Sequence, residues 1–380
     1  MKTKLVFCVG TLDKPGGTEK VLANKANYFV DKMEYEIHII TINQKGKDLF
    51  YEYNPKIIFH DITYKSQTNI LFNPFQFIRN RNFFKEKYQA LFDIIKPDII
   101  TVNERGYLDY IIPFISKGIP KVREFHSSRK AIAIHARQMK PLKRIKHLLM
   151  YKTIYAMFNK YDHLVLLTEN DKKDSRYDTN VTVIPNTHKP VVIQKSNLEK
   201  KNVISVGSMN GEIKRFSIQI DLWSEIIKEH PDWILNIYGD GARKDILQQK
   251  INQLGLEKNV ILQGTSNQLH NHYLNSSIYL FTSVGEGFGM VLLEAMSYGV
   301  PCISFDCPHG PSEIISNNKD GFLVDNNNVK ELKQKLILLI KDKELRKKMG
   351  VNAFENAKRF LPSEISEKWD NLYKTIIHKK

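Results

Sequence analysis

Short apolar runs alternate with stretches of helical period along almost the whole chain. Lys4-Leu5-Val6-Phe7-Cys8-Val9 is close to continuously apolar, the pattern of a parallel strand buried on both faces. A glycine-bearing turn from Gly10 to Glu19 leads into a helix with Val21, Leu22, Ala26, Phe29 and Val30 on one side. The same alternation predicts strands at Tyr35–Ile40, Pro97–Thr101, Lys121–Phe125 and His163–Leu167. After a polar stretch from Asn186 to Lys201 it resumes at Asn202–Gly207, Trp233–Tyr238, Val260–Leu262, Ile278–Phe281 and Cys302–Phe305. Strands that alternate with helices in this way predict α/β domains with doubly wound parallel sheets. The polar stretch reads as a linker, so one domain covers residues 1–188 and a second covers 202–360. A last helix, from Pro362 to Lys380, carries Ile365, Trp369, Leu372, Tyr373 and Ile376 on one stripe. Residues 363–380 are expected to pack back on the first domain.

Ligands of such sheets gather at the carboxyl ends of the strands, so the turns there carry the candidate chemistry. Glu286-Gly287-Phe288-Gly289-Met290 follows the strand Ile278–Phe281 and opens a helix that contains Glu294. Uncovered amides at a helix N-terminus suit a phosphate. From the first turns of that helix Glu294 can reach a ribose, and Glu286 faces whatever the phosphate carries. The plain alternative is a glycine turn with two solvated glutamates. Gly16 and Gly17 open the first helix in a similar way, but without the spacing of the dinucleotide fingerprint, and no acid follows the second strand. A nicotinamide enzyme is disfavoured on that ground. Asn103, Glu104, His126, Ser127 and Thr168 sit after strands of the first half. His126 is an active-site candidate, although a lone histidine there is more often structural. In the second half, Lys214 and Arg215 follow the strand that ends at Gly207, and Gly239-Asp240-Gly241 and Asp306 to Ile315 form further turns after strands.

Composition adds partners to this picture. The chain has 380 residues, 42% hydrophobic and 11% aromatic, which places it among folded proteins, and its net charge of +16 calls for an anionic partner. Nucleic acid, anionic lipid and phosphorylated small molecules all qualify by charge. No nucleic-acid motif interleaves aromatics with bases, so nucleic acid is set aside. Between Arg123 and Lys160 the bases Arg129, Lys130, Arg137, Lys140, Lys143, Arg144, Lys146 and Lys152 face one acid, Glu124. Pro141 starts a helix there with Leu142, Ile145, Leu148, Leu149, Ile154, Tyr155 and Phe158 at helical spacing. This is either a core-facing helix with a solvated basic face or a surface helix on anionic lipid, aided by Phe75, Phe77, Arg79, Arg81, Phe83 and Phe84. Cys8, Cys302 and Cys307 show no metal-ligand spacing and no disulfide framework, which points to a reducing cytosol. No stretch has the length of a membrane span, so the expected location is cytoplasmic and peripheral at the inner face of the cell membrane.

Taken in order and spacing, these motifs resemble the family-4 retaining glycosyltransferases. The matching elements are Gly16-Gly17, Glu124-Phe125-His126-Ser127, Ile184-Pro185-Asn186, Gly207 with Lys214, Gly239-Asp240-Gly241, Glu286 and Glu294 with seven residues between them, and Gly310-Pro311-Ser312-Glu313-Ile314. The resemblance implies a GT-B fold of two facing Rossmann-like domains, with the last helix crossing back to the first. It implies that Glu294 holds the donor ribose and that Glu286, with the amides of Phe288 and Gly289, holds the transferred sugar. Lys214 would neutralise the diphosphate, His126 would touch the sugar near the reacting carbon, and the Gly16 and Gly17 amides would lie by phosphate and acceptor. The family's arginine directly after Gly207 is replaced by Ser208, and Arg215 is expected to substitute for it. The implied activity is transfer of a hexose or N-acetylhexosamine from a uridine-diphosphate sugar, without metal or other cofactor, to a lipid-linked or polysaccharide glycan such as capsule or lipopolysaccharide. A sugar-nucleotide epimerase, or a transferase to teichoic acid or protein, is the alternative.

Overall fold

In the computed structural model, residues 2–64, 74–103, 106–177 and 179–378 are described, without the side chains of residues 74–76. Glu104 and the Phe75 side chain therefore lie outside the described residues. The chain divides into two compact units. The first comprises Met1–His126, Lys140–Thr187 and Pro362–Lys380, and the second Ser127–Met139 and His188–Leu361.

The first unit is built on strands β1 (Lys4–Cys8), β2 (Glu36–Ile42), β3 (Ile58–Ile62), β4 (Ile99–Val102), β5 (Lys121–Glu124), β6 (His163–Leu166) and β7 (Asn180–Val183). They pair in parallel in the order β3-β2-β1-β4-β5-β6-β7. Along this part of the chain lie helices α1 (Gly17–Lys32), α2 (Pro74–Ile95), α3 (Arg129–Arg137), α4 (Pro141–Phe158) and α5 (Glu169–Asp174), of which α3 belongs to the second unit. Val6, Cys8 and Ile100 of the strands pack against Phe84, Tyr88 and Phe92 of α2 in one core. Burying each such aromatic ring contributes about 1.5–3 kcal/mol.

The second unit carries β8 (Asn202–Val206), α6 (Phe216–Ile226), β9 (Ile234–Tyr238), α7 (Lys244–Gln253), β10 (Val260–Gly264), α8 (Leu269–Leu274), β11 (Ile278–Phe281) and α9 (Met290–Ser297). It continues with β12 (Cys302–Asp306), α10 (Pro311–Ile314), β13 (Gly321–Asp325), α11 (Val329–Lys341) and α12 (Lys343–Ala357). Its parallel sheet has the order β10-β9-β8-β11-β12-β13, and Trp223, Trp233, Leu235, Ile303 and Leu336 share its core. Both sheets thus reverse direction beside their first strand, which opens the carboxyl edge there to ligands.

Several expectations are revised. Strands β3, β7 and β13 escape the apolar pattern because they are sheet edges or start at glycine. The segment Ser127–Met139, expected in the first domain, packs in the second unit, where Gln138 Oε1 accepts from the Glu212 amide at 3.3 Å and Ile134 lies against Gly285. The last helix, α13 (Pro362–His378), is part of the first unit, where the Tyr35 hydroxyl donates to Asp370 and Tyr373 and Thr101 share a hydrogen bond of 2.9 Å. Among the described aromatics of α2, Phe84 is buried and Phe77 stacks edge-on against Tyr107 and Tyr110, so these two rings pack within the protein. On α4, by contrast, Leu142, Ile145, Leu148 and Leu149 are exposed, while Ile154 and Phe158 are buried.

Candidate functional site

The second unit assembles its site from three turns at the carboxyl edge of its sheet. Between β11 and α9 the chain runs from Thr282 to Gly289, and Gly289 adopts φ 99° as the N-cap of α9. Gly310, at φ 108°, closes the turn after β12 onto this one: a Cβ there would overlap the carbonyl oxygen of Phe288. A glycine is therefore required both for the dihedral and for the approach. Further ties hold the turn. Ser128 Oγ donates to the Glu286 carbonyl at 3.1 Å, and the Val284 amide donates to Ile213 O at 2.9 Å.

Within this frame Lys214 Nζ donates to Glu286 Oε1 at 2.6 Å, with both side chains mostly buried. The lysine stem lies across Gly207, whose Cβ would come within 2.9 Å of Lys214 Cγ. The bare strand end is what lets the stem lie there. Arg215 is different. It caps α6 in the left-handed region at φ 51°, which turns its guanidinium away from the path of Lys214. Nε donates to Thr282 O at 2.6 Å, and Nη2 to Ser283 O at 3.1 Å and Asn326 Oδ1 at 2.9 Å; Nη1 donates to Asn327. The guanidinium lies over Phe305 as well, and burial pushes its pKa down. Arg215 is thus a brace between the loops after β11 and β13, its guanidinium held by oxygens of the chain itself.

Glu294 sits buried in α9 and accepts from Tyr273 Oη at 3.2 Å. Burial, followed by the neighbouring carboxylate, pushes the Tyr273 phenol well above its usual range, so it remains a donor. The turn Gly239-Asp240-Gly241 is laced to the loop after β8: the Met209 amide donates to Asp240 O at 2.8 Å and that of Arg243 to Met209 O at 3.0 Å. Just before it, Tyr238 stacks on His272 at 4.4 Å. Sequence reasoning missed Ser128, Tyr238, His272 and Tyr273. Tyr238 alone had a visible signal, as the residue preceding a glycine turn.

In the first unit the carboxyl edge carries a buried polar cluster. Glu124, the last residue of β5, pairs with Lys25 of α1 and accepts from Asn103 Nδ2. His126 places Nε2 3.3 Å from Glu124 Oε1 and Nδ1 3.2 Å from Asn186 Oδ1. Burial alone would push the Glu124 carboxyl up, but the Lys25 ammonium, with His126 beside it, holds it at about 2. Thr168 is an N-cap, accepting from the Asp171 amide at 3.1 Å, which gives it a structural task. Gly16 precedes α1 in extended conformation, and the Glu19 carboxylate fills the space a Cβ would take. An acid of the chain itself therefore lies at the helix end where a phosphate was expected.

Among known proteins, residues 189–356 match the family described as "Glycosyl transferases group 1". A Haemophilus influenzae protein described as an uncharacterized glycosyltransferase is 26% identical over 377 residues, covering 97% of this chain and 99% of its own. The amylovoran biosynthesis glycosyltransferase AmsD of Erwinia amylovora is 27% identical over 380 residues, covering 97% of this chain and 99% of its own. A variant of S. aureus TarM, solved with Fondaparinux, alpha-GlcNAc-glycerol and UDP, aligns with a TM-score of 0.76 at 19% identity. That alignment covers 98% of this chain and 99% of TarM, and at such identity it carries the fold alone.

Proposed function

From a chain that carries a glycosyl transferases group 1 domain on a GT-B fold, we propose a retaining hexosyltransferase that uses a uridine-diphosphate sugar and a polysaccharide or lipid-linked glycan. The observation that supports it most is the pairing of Lys214 Nζ with Glu286 Oε1 in the turn that opens α9. There a cation and a row of helix-end amides meet a diphosphate, while a carboxylate meets the hydroxyls of the sugar beside it. Glu294, held by Tyr273, takes the ribose. His126 serves the transferred sugar.

In this reading the bond between the sugar carbon and the diphosphate oxygen breaks, and a bond from the acceptor hydroxyl forms on the same face. The acceptor's proton leaves on the departing phosphate oxygen. The ammonium and amides stabilise the charge that develops there, so no metal is required, and chelation by EDTA should leave the rate unchanged. The naming of AmsD for amylovoran synthesis favours this acceptor class. No helix among the described residues is long and apolar enough to cross a membrane. We place the protein peripherally at the cytoplasmic membrane face through α4, whose exposed Leu142, Ile145 and Leu149 lie among Lys143, Arg144 and Lys146. Sedimentation with phosphatidylglycerol vesicles, lost in Leu149→Glu, checks that placement.

The function is tested by screening nucleotide sugars for a rise in melting temperature, then assaying transfer. Lys214→Ala and Glu294→Ala should stay folded and lose transfer. Wild-type rates from either variant would overturn the assignment. Donor incubated without acceptor separates an epimerase, which would still convert it.

A further inference from the structure

The buried cluster around Glu124 is arranged for more than holding the fold. Its strand presents two adjacent charges to opposite layers of the sheet. Arg123 is taken by Asp109, with Nε donating to Oδ1 at 2.6 Å, and Tyr161 Oη donates to the same oxygen at 3.0 Å. Glu124 is taken by Lys25, and the Lys25 ammonium lies 3.9 Å from the ring centroid of Trp369 in α13 and 5.1 Å from that of Phe7. Both members of the Lys25–Glu124 pair are fully buried. Apolar residues of similar volume are generally as stable in such a place, so a buried pair is weak evidence of a stability role and better evidence that a position is being specified. Fixing the Glu124 carboxylate also fixes Oε1, 3.3 Å from His126 Nε2, and the Asn103 amide that Oε2 holds lies 3.3 Å from the same nitrogen. The opposite ring nitrogen, Nδ1, lies against Asn186 Oδ1.

We infer that Glu124 is a positioning residue for His126, clamped from behind by Lys25 and sealed by Trp369 of the C-terminal helix. The Glu124 carboxylate and the Asn103 amide, whose Nδ2 lies 3.3 Å from Nε2, hold one edge of the ring, and Asn186 Oδ1 accepts at the other edge, 3.2 Å from Nδ1, so the plane of the ring is fixed. The groups that face this ring and its clamp are Glu124 from β5, Asn103 from the end of β4, Asn186 from beyond β7 and Lys25 from α1. With both nitrogens engaged by the chain itself, His126 is not a general base for the acceptor. It meets the sugar as a fixed group, and the proton travels with the leaving phosphate. The effect on rate rests on the transferase reading above; the state of the ring does not.

Two readouts test the inference. Nitrogen-15 NMR of histidine-labelled protein reads the protonated nitrogen of His126 with no substrate present. Glu124→Gln should move the His126 ring-nitrogen resonances away from their wild-type positions. Because that variant leaves Lys25 buried without its partner, the double variant Lys25→Met/Glu124→Gln, which buries no charge, is measured beside it. In the second readout, UDP release from UDP-glucose and UDP-N-acetylglucosamine is followed by kcat and KM. A ring displaced by about 1 Å should lower kcat by roughly 100-fold with KM unchanged. A folded double variant with the wild-type ring state, or with kcat within about twofold of wild type while His126→Ala is inactive, overturns the positioning role. Wild-type kcat in His126→Ala overturns instead the assignment of His126 to the reaction.

Discussion

Replacing Lys25 by methionine isolates what one buried ammonium does for the first unit. Methionine keeps the volume and lies well against Trp369 and Phe7, so the loss is chiefly the charge. In the wild type, Glu124 is lowered from 4.5 to about 2, which corresponds to ~3 kcal/mol of preference for the charged form in the folded state. That stability is present above the carboxyl's unfolded value and is lost as pH falls through about 2. Without Lys25, burial acts unopposed and pushes the carboxyl up. Breaking a buried pair in this way destabilises by about 3–5 kcal/mol at neutral pH. The deficit should shrink as pH is lowered from 7.5 to 5, because a neutral Glu124 no longer needs the ammonium. Urea unfolding followed by tryptophan fluorescence measures it, since Trp369 lies in the first unit while Trp223 and Trp233 lie in the second. The expected fall in the first unit's midpoint is about 2 M. A midpoint unchanged at pH 7.5, or a deficit that does not shrink by pH 5, would refute the argument that Lys25 is what holds Glu124 charged.

Gly310→Ala adds a Cβ into the Phe288 carbonyl at a positive φ, so the turn before α9 must shift. Donor affinity, read by UDP-induced thermal shift, should fall at least tenfold, and an unchanged shift would remove that turn from the site. Arg215→Ala separates a brace from a phosphate ligand. Losing the bonds to Thr282, Ser283, Asn326 and Asn327 should destabilise the second unit by about 2 kcal/mol, visible in urea unfolding. Full stability with a raised KM for the nucleotide sugar would show instead that the guanidinium serves the diphosphate.

Reading the chain alone goes far for whatever is written locally. A parallel strand buried on both faces is an apolar run, so β1, β2, β9 and β11 are legible. A turn whose dihedral or packing demands glycine is visible as that glycine, so Gly289 and Gly310 are too. Edge strand β3, with exposed Phe59 and a polar His60 and Asp61, carries no such signature, because its pattern answers to solvent as much as to the core. Residue type and place after a strand nominated Lys214, Glu286, Glu294 and His126. What each side chain touches was decided only by tertiary structure. Lys214 and Arg215 are neighbours in sequence, yet the left-handed backbone at Arg215 sends one to Glu286 and the other to loop carbonyls. Lys25 meets Glu124 across 99 residues, and Ser128 meets the Glu286 carbonyl across 158. Local propensity has no reach over such separations. The partner of a buried charge is chosen by the packing of layers, since a desolvated ion must find its counter-charge wherever the folded chain happens to bring it.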